Sequence, residues 1–323
     1  MVNKIQSEMN KIEIPAELHQ RSKQGVLKAK AEIRRNQSVR LNGFVRLVAG
    51  FLIAASIYGL YHLNFQNDNQ ETMPNGERDM TNQEEGVYIP PIQLPENTDG
   101  MEMDMIGLIV YNGKIYTQTD TMIEPSEAKA LLGEKLGRTK GSIDEWSSQD
   151  EYAVEFASTI GEMDVYSVKG YDQNFRIMAY DERNGEVFAE FYECLNGMSV
   201  QDGEDLFGKL NMEGNVVSAQ YRHFTDWDNG IDRFFPINDT DLLNVFISEL
   251  NHTVPYNYET VEPSLGDYRN DEEYKRLNLI LKDGSRVELV VIKDGYIRYG
   301  FSDVYFKMSD NVFSKMWDLM TKN

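Results

Sequence analysis

From Met101 onward the apolar positions fall in short runs with a two-residue period, cut by turn-forming pairs. "MIGLIVYNGKIYTQT" holds two β-prone runs joined at Asn112-Gly113, a pair that accepts the left-handed backbone of a tight hairpin. Further strands are expected around 152–158, 163–169, 175–181 and 186–194, with Asn184-Gly185 as a second hairpin turn. "VVSAQYRHF" predicts another strand. "YKRLNLILKDGSRVELVVIKDGYIRYG" divides at Asp283-Gly284 and Asp294-Gly295, which predicts a three-stranded meander.

Helical periods interrupt these strands. "EPSEAKALLGEKLG" predicts a helix capped by Ser126, with Ala130, Leu131 and Leu132 on its apolar side and Gly133 or Gly137 at its end. "DGEDLFGKL" predicts a short helix at 202–210. In "DTDLLNVFISELNH", Leu242, Leu243, Phe246, Ile247 and Leu250 share a face, and Asp239 is the candidate N-cap. Val312, Phe313, Met316, Trp317 and Met320 form one face of a last helix, expected to pack on the meander. Strands and helices in mixed order predict an α+β domain over 101–323, built of antiparallel hairpins with packed helices. A division into 101–236 and 237–323 is one possible arrangement.

Upstream, the pattern changes. "LVAGFLIAASIYGLYHL", residues 47–63, carries no Asp, Glu, Lys or Arg. Extended back to Gly43 it matches the length of roughly 20 residues that a membrane-spanning helix needs. Arg46 near one end can reach the headgroups, and Tyr58 and Tyr61 stand near the other. Residues 43–65 are therefore expected to form a single transmembrane helix. Residues 66–100 are polar, acidic and proline-containing, the composition of a linker. Within them, 66–86 is expected to be a flexible stalk, and "VYIPPIQLP" an extended, stiffer piece close to polyproline II.

Charge sets the orientation. The chain carries −21 overall, but residues 1–46 hold ten Lys/Arg against four Asp/Glu, and the remainder holds 22 against 49. The basic end is +6 and the rest −27. The positive-inside rule places the N-terminus in the cytoplasm and the large domain outside, giving a single-pass protein of the cell membrane. A cleaved signal peptide fits less well, because about 42 residues precede the apolar run. The acidic bulk argues against nucleic-acid binding. Cys194 is the only cysteine, which excludes an internal disulfide and paired-thiolate zinc sites.

Catalytic patterns are sparse. His19, His62, His223 and His252 form no metal-ligand pair by spacing, and HExxH, GxSxG, the P-loop and GxGxxG are absent. "SEAK", Ser126 to Lys129, matches SxxK, though a serine after proline at a helix start is usually a cap. "DWDNGID" brings Asp226, Asp228, Asn229 and Asp232 together, but lacks the glycine position and bidentate glutamate of a calcium loop. Phe156, Tyr166, Tyr171, Phe175, Phe188 and Tyr192 fall in strand patterns and are expected in the core, as is Cys194. No catalytic set and no cofactor is expected.

The cytoplasmic segment is the better candidate for a partner site. Pro15 suits a first helical turn, with Glu13 and Glu17 near the positive end of the dipole. Leu18, Ser22, Val26, Ala29 and Ile33 then recur at helical steps, flanked by Arg21, Lys23, Lys28 and Lys30. The anionic inner leaflet and a protein groove are the two available surfaces. The stripe has no aromatic residue, and membrane-lying helices usually carry one, so a protein groove is favoured.

"EIPAELHQRSKQGVLKAKAEIRR" resembles the cytoplasmic segment of Gram-positive membrane-anchored anti-sigma factors, through Ile14, Pro15, Glu17, Leu18, Gly25 and Ala29. In that group an I-P-x-E-L opening precedes a helix, a basic stretch and one span. The resemblance implies that the segment holds an extracytoplasmic-function sigma factor, released when proteolysis triggered outside removes the anchor. The expected partner-binding residues are Ile14, Pro15, Leu18, Val26, Ala29 and Ile33. The zinc-binding anti-sigma class is excluded, since residues 1–42 hold no Cys. "YAVEFASTIGEMDVYSVKGYDQNFRIMAY" is similar to domains of Gram-positive envelope proteins, which implies no activity. The alternative is an envelope-facing binding or structural protein whose N-terminus is only an anchor.

Overall fold

A computed structural model describes residues 86–92, 106–144, 147, 149–300 and 302–321. In chain order the first elements are β1 (Val87–Ile89), β2 (Leu108–Tyr111), β3 (Lys114–Gln118), β4 (Thr121–Ile123), α1 (Pro125–Leu131) and β5 (Leu132–Arg138). Then follow β6 (Asp164–Val168), β7 (Arg176–Arg183), β8 (Glu186–Glu193), β9 (Met198–Val200), α2 (Glu204–Phe207), β10 (Val216–His223), α3 (Phe224–Asp228) and β11 (Phe235–Ile237). The last are α4 (Thr240–Leu250), β12 (Val254–Asn257), α5 (Tyr258–Leu265), β13 (Tyr274–Leu281), β14 (Ser285–Ile292), β15 (Tyr296–Tyr299), β16 (Val304–Lys307) and α6 (Asp310–Thr321).

The domain is α+β and its named strand pairings are antiparallel. A six-stranded sheet runs β2-β3-β8-β7-β6-β5, an eight-stranded one runs β11-β10-β13-β14-β15-β16-β12 with β4 also on β14, and β1 and β9 form a small two-stranded sheet. The predicted hairpins form for the expected reason. Asn112 and Gly113 (φ 51° and 68°), and Asn184 and Gly185 (φ 54° and 81°), are both left-handed, matching the twist of their strands. The meander β13–β14–β15 also forms, turning at Gly284 and at Asp294-Gly295.

The main core lies on one face of the eight-stranded sheet. Phe246, Ile247 and Leu250 of α4, and Phe313, Met316 and Met320 of α6, join Leu277, Leu289, Val291 and Phe306 there. Asp239 caps α4 by accepting from the Leu242 backbone N–H, as its position predicts. On the opposite face, Tyr268, Tyr274, Ile292 and Tyr305 form a second cluster with Val261 of α5.

Several expectations are corrected. α1 begins at Pro125, and Ser126 lies inside its first turn without capping it. The helix does not stop at a glycine; Leu132 turns extended and the chain runs straight into β5, which contains Gly133 and Gly137. Gly133 lies against Ser167, where a Cβ would come within 2.4 Å of its Oγ, so these glycines serve strand packing. No strand covers 152–158; a 3-10 turn at Gln149–Ala153 and one isolated bridge, Ile109 to Ser158, stand there. Of the segment expected near polyproline II, Val87–Ile89 pair as β1 with β9, because Ile89 finds a buried place in the core. Phe188 is 40 % exposed rather than buried in the core.

None of the described helices is long and apolar enough to cross a membrane. The apolar run 43–65, residues 66–85 of the expected stalk 66–86, and the partner stripe of Ile14, Pro15, Leu18, Val26, Ala29 and Ile33 lie outside the described residues.

Candidate functional site: an arginine row at the junction of the sheets

Only Thr119 and Asp120 separate β3 of the six-stranded sheet from β4 of the eight-stranded one. Side chains alternate along an extended chain, so this connector addresses two environments.

Thr119 and Thr121 face a buried network. Arg176 of β7 and Glu193 of β8 are cross-strand partners, both fully buried, with Nη2 2.5 Å and Nε 2.9 Å from Oε1 of the carboxylate. Tyr299 of β15 donates to Glu193 Oε2 at 2.7 Å. Its hydroxyl also meets the Thr119 hydroxyl at 2.7 Å and that of Thr121 at 2.5 Å. Burial, then the Glu193 charge, pushes the Tyr299 phenol well above its ordinary range. Tyr171 lies 4.2 Å from the Arg176 guanidinium and donates to Asp283 at 2.7 Å. This ion pair thus bridges the two sheets through side chains.

Asp120 faces the other environment. On the aromatic side of the eight-stranded sheet, Arg222, Arg276, Val290 and Arg298 are successive cross-strand partners on β10, β13, β14 and β15. One row therefore carries three arginines. The neighbouring row carries Gln220, Asn278 and Glu288. Glu288 accepts from Arg276 at 2.7 Å and Asn278 at 3.0 Å, with Arg222 at 3.5 Å. Asp120 lies 3.8 Å from Arg276, its side chain 17 % exposed. Arg298 is partly exposed, and among the described residues it makes no hydrogen bond and no ion pair. The Nε atoms of Arg222, Arg276 and Arg298 are all buried without a hydrogen-bond partner.

Aromatic rings hold these cations in place. Trp227 of α3 stacks 4.0 Å from the Arg276 guanidinium, and Phe234 5.3 Å from that of Arg222. Tyr258 and Tyr305 flank Arg298 at 5.2 and 5.1 Å. The Tyr305 and Tyr268 hydroxyls are turned to Glu262, as is Arg269, so that carboxylate is already engaged. Burial pushes the Asp120 carboxyl up to about 6, against Arg276 and Arg298, with Glu288 and Glu193 adding to the rise. Burial also holds the Arg222 guanidinium below the usual arginine range, opposed by Glu288 and reinforced by Arg276.

The three guanidiniums face the Glu288 and Asp120 carboxylates directly, while Asp232 acts on Arg222 and Asp303 on Arg298 from farther away. Such a surface can receive an oxyanion through charge-assisted, fork-shaped hydrogen bonds.

The residues singled out in the sequence lie elsewhere. Lys129 of the SxxK match pairs with Glu182 at 3.0 Å on the surface. In "DWDNGID", both Asp226 oxygens are taken by Arg233, at 2.6 and 2.9 Å, so the segment is a pinned helical turn. Among the described residues no three His, Cys, Asp or Glu side chains are grouped to hold a metal. Cys194 packs in the core beside Tyr116 and Tyr192, and burial raises its thiol pKa. The arginine row was missed because its members are far apart in sequence. The available signal was the alternation itself, since "YKRLNLIL" and "SRVELVVI" place Arg276, Asn278 and Glu288 at every second position.

Comparison with protein-family models, with curated proteins and with solved structures finds no match to this chain.

Proposed function

We propose that this chain is a single-pass regulator of the cell membrane. Residues 1–42 hold a cytoplasmic protein, an extracytoplasmic-function sigma factor, through Ile14, Pro15, Leu18, Val26, Ala29 and Ile33. Residues 43–65 anchor the chain, and the α+β domain outside senses. The observation that carries this reading is the division of charge about the apolar run, +6 before it and −27 in the rest, joined to an I-P-x-E-L segment. Among the described residues the arginine row is the feature best fitted to receive a ligand, which supports a sensing role over a purely mechanical one.

The test is recovery of partners from solubilised membranes with the tagged full chain. A sigma factor is expected in the eluate, and Leu18→Asp with Val26→Asp is expected to remove it. No sigma factor in the eluate, with unchanged transcription after gene deletion, overturns the reading. The arginine row also favours a second reading, an envelope-facing binding protein with a plain anchor. Full function after exchange of residues 1–42 for an unrelated basic tail selects that one.

A further inference from the structure

We infer that the row Arg222–Arg276–Arg298 is the binding site for a carboxylate on a small molecule or chain end, which takes the place that Asp120 now holds. The inference deepens the sensing half of the proposed function and is independent of the sigma-factor half.

Four observations converge on it. Buried N–H groups are nearly always paired, yet all three Nε atoms of this row have no partner. An unpaired buried donor is costly unless something unseen completes it. Arg298 has a guanidinium free of hydrogen bonds among the described residues and set beside the stacked pair Tyr258–Tyr305. Arginine packed beside aromatic rings has lost part of its rotamer freedom in advance, so less is lost when it grips a carboxylate.

Asp120 marks what the site accepts. Its carboxylate feels both Arg276 and Arg298, but reaches only Arg276, and only at 3.8 Å. It is a loose, largely buried counter-ion beside the middle arginine of the row. Glu288, by contrast, is saturated by Arg276, Asn278 and Arg222 and belongs to the frame. A ligand carboxylate can bind closer to Arg298 than Asp120 does, and the half-buried ring of Tyr258 beside Arg298 offers an apolar wall for the body that carries it.

Displacement of Asp120 has a built-in readout. The residue is flanked by Thr119 and Thr121, whose hydroxyls hold Tyr299 and, through it, the Arg176–Glu193 pair between the sheets. Movement of this connector alters the contact between the two sheets.

The experiment uses the full chain in detergent micelles, with N-acetylglycine as probe and the fluorescence of Trp227 as signal. Inorganic phosphate and chloride at matched ionic strength are run beside it. A saturable change with N-acetylglycine is expected, in the millimolar range for so small a ligand, absent with chloride and with the Trp227→Phe chain. Arg298→Gln is expected to weaken the response about tenfold or more. Asp120→Asn removes the competing carboxylate and is expected to tighten it several-fold. That opposite change guards against a trivial loss of folding. No saturable change, an unchanged response in Arg298→Gln, or no tightening in Asp120→Asn overturns the inference. Equal saturation by phosphate overturns its assignment to carboxylates. A chain that recovers a sigma factor but shows no response to the probe loses this inference alone.

Discussion

At the scale of single residues, Asp120 is the group whose protonation matters most. Its ordinary value of 3.8 is raised to about 6 by burial, outweighing Arg276 and Arg298. Between these values the folded chain binds a proton that the unfolded chain has released. Stability from this group is therefore present at low pH and falls as pH rises from about 4 to about 6. Asp120→Asn is expected to raise stability near neutral pH by about 1–3 kcal/mol and to flatten that part of the profile. Urea unfolding over a pH series measures both; an unchanged slope shows that the carboxylate is not held in this way. Gly203 is a second residue with a sharp requirement. A Cβ there would stand 1.8 Å from the Leu250 carbonyl oxygen, so the loop before α2 must retreat from the end of α4. Gly203→Ala is expected to cost about 1–3 kcal/mol, read as a lowered melting temperature.

Between elements, the buried pair Arg176–Glu193 ties β7 and β8 to β15. A charge left alone in such a place is far worse than none. Arg176→Met or Glu193→Leu alone is expected to cost about 3–5 kcal/mol, and the two together distinctly less than their sum. A double-mutant cycle by urea unfolding decides this, and additive losses would show that the pair does not act as a unit. The hairpin turns follow simpler rules. Gly185 (φ 81°) has open space where a Cβ would sit, so Gly185→Ala pays only for its left-handed backbone, about 1–2 kcal/mol. The contrast with Gly203, which has an ordinary backbone but no space, separates the two reasons for which this chain uses glycine.

At the scale of the whole molecule, the α+β domain unites a sheet buried under α4 and α6 with a second sheet joined through a two-residue connector. That connector reaches the arginine row with one residue and the ion-paired junction with its neighbours. Binding at one can bias the other if the junction has two arrangements, which is the requirement of any sensor. Hydrogen exchange of β4 and β15 amides with and without N-acetylglycine tests this coupling: slower or faster exchange at Tyr299 and Thr121 is expected. Changes confined to Arg298 and its immediate neighbours would leave a binding site without transmission.

Periodicity determined much of this protein directly. Asn112-Gly113 and Asn184-Gly185 dictated their hairpins because only such residues take two left-handed positions cheaply, and the spacing of Phe246, Ile247 and Leu250 determined which face of α4 is buried. These are local properties, set within a few residues. The tertiary structure decided what depends on pairing. Val87–Ile89, at the start of "VYIPPIQLP", became a strand because β9 was there to receive it, and Leu132 left its helix because β6 offered a partner. The candidate site is the extreme case. Arg222, Arg276 and Arg298 each look like an ordinary charge in a strand, and only the register of β10, β13, β14 and β15 sets them in one row. Register is fixed by packing across the sheet, which no single segment encodes.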